Sequence, residues 1–400
     1  MSKRINILFY IIIAGLLVPF ALDAQAGPGK GPAEVAKIEV MTQNLYVGAN
    51  VFRLFAPAPC GPLQSVFELF ETVKATNFPE RAEAIADIVQ RKRPHVIGLQ
   101  EVSLIRSQTP ADFLVVPNPD GETYTYVPNA TTVEFDYLDL LVNALGARGL
   151  DYVVVEDATA EDADVELPMA SFDEECNFTS QPTDLRLSDR DVILVRGDLV
   201  TDNAMNANFS VNLPVAVPAE IPPGNPIILA FEFTRGFGAV DVTVGKVTHR
   251  VVNTHLEVGD RGDLLSPFNF IQFKQAEELI DEVTGTALPL TVVGDFNSSP
   301  DPLDLRPAYG LMAFNGYLDL WNVRQGPFDP GFTCCQDEVL RNEVPVLDER
   351  IDHVFTRLPV DSELLPIQSE VAGDRANEKT ASGMWPSDHA GVVTTLKFKR

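Results

Sequence analysis

The chain has 400 residues, 45% of them hydrophobic and 22% charged, which supports a large buried core and excludes a wholly disordered or fibrous protein. Its 30 Lys+Arg against 57 Asp+Glu leave a net charge of −27. So acidic a surface lacks the positive field that holds proteins on nucleic acid by counterion release. Tight non-specific DNA binding is therefore disfavoured, although a catalyst with fast turnover needs no such grip.

The basic start Ser2-Lys3-Arg4, an apolar run from Ile5 to Leu22 and Ala24-Gln25-Ala26 together predict a signal peptide over 1–26. An uncleaved anchor is the alternative, because the run approaches the lower limit for spanning a bilayer. No later stretch is long and apolar enough to span. The segment carries Lys3, Arg4 and Asp23, net +1, so the remainder stands at −28. A secreted or periplasmic location follows as an expectation. Residues 27–36 are rich in Gly, Pro and Ala and read as a linker. Gly27-Pro28-Gly29-Lys30-Gly31 has the wrong spacing for a phosphate loop and no preceding strand.

Residues 37–400 read as one domain with insertions around 103–180 and 200–226. Ile38–Leu45 alternates as a strand does, and Pro79–Lys92 has helical spacing with Glu80 early and Lys92 late. His95–Leu99 reads as a buried strand, Tyr137–Ala147 as a helix and the acidic tract 156–166 as a solvated loop. Val192–Val195, Ile227–Phe233, Val240–Val244 and Val247–Val252 read as strands. Pro267–Val283 reads as a helix, and Leu288–Val293 as a strand. Leu311–Trp321, Arg350–Phe355 and Gly391–Lys397 complete the set. Strands with intervening helices throughout predict an α/β fold. The long irregular segments are where substrate choice often resides. Cys60, Cys176, Cys334 and Cys335 could form one or two disulfides in an exported protein. Adjacent Cys334 and Cys335 are strained partners for each other, so pairing with Cys60 and Cys176 is expected, with Cys60 and Cys176 near each other as the alternative. Without further Cys or His at ligand spacing, the pair makes a poor zinc site.

Short polar clusters end the apolar strands: Thr42-Gln43-Asn44, Gln100-Glu101, Asn253-Thr254-His255, Gly294-Asp295-Phe296-Asn297, Arg350-Ile351-Asp352-His353 and Ser387-Asp388-His389. An open sheet presents such groups to a ligand. Their hard oxygen donors suit Mg²⁺, Mn²⁺ or Ca²⁺ and argue against zinc. His95 and His249 lie outside the clusters and read as structural. His353, next to Asp352 on a strand, should face the other way. Arg261-Gly262-Asp263 is a chance match to an adhesion tripeptide.

In the order of these motifs, from about Ile38 to Leu396, the sequence resembles the endonuclease/exonuclease/phosphatase superfamily. GDFN followed by SDH, with LQE upstream, carries the resemblance. It implies a four-layer α/β/β/α sandwich of two packed mixed β-sheets flanked by helices. It also implies a divalent metal held by Asn44, Glu101 and Asp388. Asp295 and Asn297 would orient the attacking water, with Asn297 also binding phosphate. His389 would be the C-terminal catalytic imidazole, oriented by Asp352. His255 would contact the phosphate or protonate the leaving oxygen. Arg190 would contact phosphate, with an ordinary surface ion pair as the alternative. A catalytic Tyr often lies between the Glu and this Arg; Tyr124, Tyr126, Tyr137 and Tyr152 are candidates and the sequence does not choose.

The expected activity is metal-dependent, nuclease-like hydrolysis of phosphodiesters by in-line attack of water, by a protein expected to be monomeric. Its substrate would be a nucleic acid or a phospholipid head group. A sphingomyelinase-like phospholipase C is the alternative enzyme. An inactive binding module on the same scaffold is the alternative of another class, and the retained ionisable positions argue against it.

Overall fold

In the computed structural model, which describes residues 35–56, 58–220 and 225–400, the alternating apolar strands assemble into two mixed sheets. The first is built on Val35–Asn44, parallel to Val96–Gln100 and antiparallel to Gly391–Lys399. Thr183–Arg196 extends it, antiparallel to Val96–Gln100. The second is built on Val247–His255, parallel to Leu290–Asp295 and antiparallel to Gly236–Val244. Asp352–Arg357 pairs antiparallel with Leu290–Asp295.

β-branched residues fill the space between the sheets. Val40, Val96, Ile193 and Val195 from the first meet Val240, Val242, Val251 and Val293 from the second in one buried cluster. Burying each such side chain stabilises by roughly 1.5–3 kcal/mol. Gly98 marks a close approach of the sheets: a Cβ there would collide with Asn253 Oδ1 and Val293 Cγ2. Phe78–Lys92 and Tyr137–Ala147 cover the outer face of the first sheet through Ile85, Ile88, Leu141 and Leu145. Pro267–Val283 and Ala308–Phe314 cover the second through Leu279, Ile280 and Met312. The result is the expected four-layer α/β/β/α sandwich.

Several expectations need correction. The acidic tract 156–166 is not a solvated loop: most of it enters the strand Ala160–Met169, paired with Thr183–Arg196, where Asp162 and Glu166 are buried. Their partners come from distant segments. Arg235 faces Asp162, and the backbone N–H groups of Asn129 and Ala130 donate to Glu166. A local charge tract carries no trace of such partners.

The long segments are also more regular than their sequences suggest. Val200–Asn208 is an edge strand of the second sheet. Leu213–Glu220, Pro226–Phe233, Tyr124–Tyr126 and Val115–Pro117 form a third, four-stranded sheet. The helix Pro62–Ala75 is an element the sequence reading missed, and Leu311–Trp321 divides between the helix Ala308–Phe314 and the short strand Leu318–Asp319.

Cys334 and Cys335 do not pair with Cys60 and Cys176; the alternative holds for the latter two. Cys60 bonds Cys176, with Cα atoms 5.3 Å apart, and Cys334 bonds Cys335. The Cys334 region is held elsewhere by Glu349 and Asp388: Cys334 N donates to Glu349 O and Gln336 N to Asp388 O. The expected signal peptide and most of the expected linker lie outside the described residues. Among the described residues, no helix is long and apolar enough to cross a membrane.

Candidate active site

Strand register brings the polar clusters together. Asn44 pairs with Gln100, His255 with Asp295, and Asp295 with Asp352. These residues share one end of the sandwich, where a cleft of about 460 Å³ opens. Glu101, His255, Asp295, Asn297, Asp388 and His389 line it. Asn44 and Asp352 are buried and bonded to residues of that lining.

Within each cluster the residues divide between presenting a group to the cleft and bracing it. Asn44 Nδ2 donates to Glu101 Oε1 at 3.0 Å and to Asp295 Oδ2 at 3.1 Å. Gln100 Nε2 donates to Asn253 Oδ1 at 2.6 Å, and Asn253 Nδ2 to Leu99 O at 2.9 Å, joining the two sheets. Gln43 Nε2 donates to His389 O at 3.2 Å, and Ser387 Oγ to Asn44 O at 2.8 Å. Buried polar groups that are fully partnered in this way fix a unique arrangement.

Three cleft residues adopt left-handed backbone conformations, Tyr46 (φ 59°), Glu101 (φ 53°) and Asn297 (φ 48°). Such conformations cost on the order of 1–3 kcal/mol and cluster at functional sites. Here they turn the chain sharply at the ends of Val35–Asn44, Val96–Gln100 and Leu290–Asp295. Arg81, fully buried, acts from behind: its guanidinium donates to Leu45 O, Tyr46 O and Pro386 O, tying the loop after Asn44 to the loop before Asp388.

The electrostatics are those of a site that wants a cation. Burial pushes Asp388 up to about 6, with the Glu101 charge adding to it and His389 opposing. Burial likewise pushes Asp295 up to about 7, with Asp352 adding and His389 opposing. Val47 N also donates to Glu101 Oε2 at 2.7 Å. Carboxylates that repel each other along one wall form the hard donor set that suits Mg²⁺, Mn²⁺ or Ca²⁺, while Asn44 turns its Nδ2 to Glu101 and Asp295 and its Oδ1 accepts from Tyr46 N at 2.8 Å.

His389 is set against carboxylates. Its Nδ1 lies 2.9 Å from Asp352 Oδ2 and its Nε2 lies 3.8 Å from Asp295 Oδ2. Burial works against its charge, but Asp352, Asp388 and Asp295 outweigh it and hold the imidazolium well above the ordinary range. Cys335 Sγ also lies 4.0 Å from Nε2, where, bonded to Cys334, it packs beside the imidazole and offers no thiolate to a metal.

Arg190 is placed away from the cleft lining. Its Nε donates to Val102 O and its Nη2 to Asp136 Oδ1 at 2.9 Å, the ordinary ion pair of the alternative reading. Arg235 faces the cleft in its stead. The four candidate tyrosines also lie outside the lining. The hydroxyls of Tyr126, Tyr137 and Tyr152 donate to Asp184, Val47 O and Pro94 O. Tyr46 is the tyrosine that lines the cleft. His353 faces away from Asp352's partner, held between Arg350 and Ser298 O, and His95 Nδ1 accepts from Glu39 N. The sequence reading missed Arg235, Asp162, Asp189 and Glu257. They carry no motif, and only the strand pairing that buries the acidic tract unites them.

The family model described as "Endonuclease/Exonuclease/phosphatase family" matches residues 41–389. The chain belongs to this family. Its members are usually phosphoester hydrolases that use divalent metals. Among curated proteins none matches. Among solved structures, the fold resembles humanized D. rerio TDP2 (TM-score 0.48, 13% identity, 90% of this chain and 98% of that one). It also resembles an endonuclease/exonuclease/phosphatase from Beutenbergia cavernae (TM-score 0.45, 20% identity, 91% and 71%). A third is D. rerio TDP2 complexed with a single-strand DNA product (TM-score 0.46, 14% identity, 91% and 100%).

Proposed function

We propose that this protein is an exported, divalent-metal-dependent phosphodiesterase, nuclease-like in chemistry, that acts as a monomer. The observation that carries the reading is a single cleft in which the Asp352–His389 dyad faces Asp295 beside Glu101 and Asp388. Asn44, Glu101 and Asp388 would hold the ion. When bound, the ion neutralises phosphate charge and stabilises the leaving oxygen.

The chain's own residues do the rest. Asp295, with its affinity for a proton near neutrality, takes up the proton of the attacking water. Asn297, its backbone N–H given to Asp295 Oδ1 at 2.9 Å, fixes that carboxylate's orientation. His389 presents a protonated Nε2 to the developing charge on the phosphoryl oxygens. His255 contacts the phosphate from the opposite wall. Positioning and electrostatics supply most of the rate in such chemistry.

Export is supported by the Ala24-Gln25-Ala26 site and by the Cys60–Cys176 disulfide, a bond of oxidising compartments. The net charge of −27 argues against a strong grip on DNA. A second reading, a sphingomyelinase-like lipid phosphodiesterase, is favoured by the apolar end of the cleft. Val51, Phe52, Phe55, Leu213 and Phe233 line it, and Val51, Phe55 and Phe233 also edge a narrow apolar slot of about 30 Å³.

Plasmid DNA, RNA, sphingomyelin and inositol phosphates, each assayed with Mg²⁺, Mn²⁺ or Ca²⁺ and again with EDTA, separate these readings. Cleavage of plasmid or RNA that EDTA abolishes supports the first. Preference for sphingomyelin moves the assignment to the second. No hydrolysis of any substrate would leave a binding module.

A further inference from the structure

The two cleft histidines are backed by opposite charges. His389 Nδ1 meets Asp352, but His255 Nδ1 lies 2.9 Å from Arg235 Nη1. A guanidinium has donors only and stays charged. The contact is therefore a hydrogen bond only if His255 Nδ1 accepts, which leaves the single imidazole proton on Nε2.

At Nε2, Asn297 Nδ2 lies 3.3 Å away with one of its two protons on Leu256 O at 3.0 Å, and the shorter 2.9 Å contact from the charged Arg235 at Nδ1 outweighs it. A neutral ring that accepts at Nδ1 cannot also accept there, so the Nε2 proton is directed toward Asp295 Oδ2, 3.6 Å away, at the cleft. His353 shows the same device: Arg350 Nη1 lies 3.0 Å from its Nδ1, and Nε2 donates to Ser298 O at 2.8 Å.

Arg235 is itself held by acids. Its Nη1 lies 3.4 Å from Asp162 Oδ2 and 3.9 Å from Asp189 Oδ2, and its Nε lies 3.7 Å from Glu257 Oε2. Asp162, from the strand Ala160–Met169, stays 3.9 Å from His255 Nδ1, with the guanidinium as the nearer group. Asp191, from Thr183–Arg196, completes the acidic surroundings. Beyond Nε2 the charged groups are Asp295 and protonated His389. Burial, then the positive charges of Arg235 and His389, oppose protonation of His255.

We infer that Arg235 is a positioning residue that fixes His255 as the neutral tautomer with its proton on Nε2. His255 then gives a hydrogen bond to a phosphoryl oxygen. The tautomer follows from geometry; its use on phosphate rests on the function proposed above.

Nitrogen-15 NMR of the histidine side chains in the wild-type protein tests the tautomer without any assay of activity. The expected result is a His255 Nδ1 that stays unprotonated and an Nε2 that stays protonated from about pH 5 to about pH 8. Arg235→Gln should free His255 to pair with Asp162 and take a second proton within that range. It should also lower kcat by about 10- to 100-fold, change KM less, and add an ionisation to the pH–rate profile. Asp162→Asn on that background should remove the added ionisation. Should Arg235→Gln fail to fold, the wild-type spectrum decides alone. A doubly protonated His255 at neutral pH, or a proton on Nδ1, overturns the inference. An inert enzyme with the expected spectrum would sink the proposed function and leave the tautomer standing.

Discussion

The two walls of the cleft are built on different electrostatic plans. On one, a carboxylate stands behind an imidazole and stabilises its charge (Asp352 behind His389). On the other, a guanidinium stands behind an imidazole and opposes its charge (Arg235 behind His255). Two similar side chains thus become a cation and a neutral donor. The difference comes from the single partner at Nδ1, and partners of that kind are supplied by tertiary structure.

The largest expected effect removes what both walls serve. Glu101→Ala should lower turnover by a thousandfold or more, on the order of the largest effects known for electrostatic groups, while leaving the melting temperature within a few degrees. Steady-state kinetics and a thermal melt check it; retained turnover would mean that Glu101 holds nothing essential.

Next, the carboxylate-backed wall should outrank the guanidinium-backed one. His389→Ala should cost about 10²- to 10⁴-fold in kcat, and Asp352→Asn nearly as much, because the amide no longer stabilises the imidazolium. Arg235→Lys, which keeps the charge but not the planar fork, should cost less, on the order of tenfold. Equal losses on both walls would erase the asymmetry.

The pH dependence of stability sharpens it further. Burial, then Glu101, raises Asp189 to about 7; Asp295 stands at about 7 and Asp388 at about 6, against about 3.9 in an unfolded chain. The native state therefore binds more protons than the unfolded one between about pH 4 and pH 7, and stability falls as pH rises through that window. Raised His389 adds a loss of the same sign at higher pH, and lowered His255 contributes oppositely. In EDTA the melting temperature should be higher at about pH 5 than at about pH 8, and added Mn²⁺ should recover part of the difference. A melting temperature that rises over this range in EDTA would contradict the acid-rich site.

The smallest effect on chemistry belongs to the floor that both walls share. Gly98→Ala would force a Cβ into Asn253 and Val293, costing about 1–3 kcal/mol of stability with kcat in the folded fraction nearly intact. Denaturant unfolding checks it.

Much of this arrangement was legible in the sequence. The apolar runs gave the two sheets and their helices, since alternation and helical spacing reflect burial directly. The motif order identified Asn44, Glu101, His255, Asp295, Asn297, Asp352, Asp388 and His389, which strand register then gathers at one end of the sandwich. What was not legible depends on partners far along the chain. Asp162 read as one more charge in a solvated tract until Arg235 buried it. Arg190 was well placed in the motif order, but Asp136 claims its guanidinium. The third sheet was hidden because Leu213–Glu220 is interrupted by Pro214 and Pro218 and pairs with a strand of its own hairpin.

That Glu101 would hold a divalent cation at the place where water attacks a phosphodiester is the central proposal. Its most direct test is the rate of p-nitrophenol release from bis(p-nitrophenyl) phosphate as Mn²⁺ is titrated into wild-type protein and Glu101→Ala side by side. Saturable, metal-dependent release by the wild type and none by the variant is the predicted result. Equal rates in the two proteins, or a rate indifferent to Mn²⁺, would contradict it.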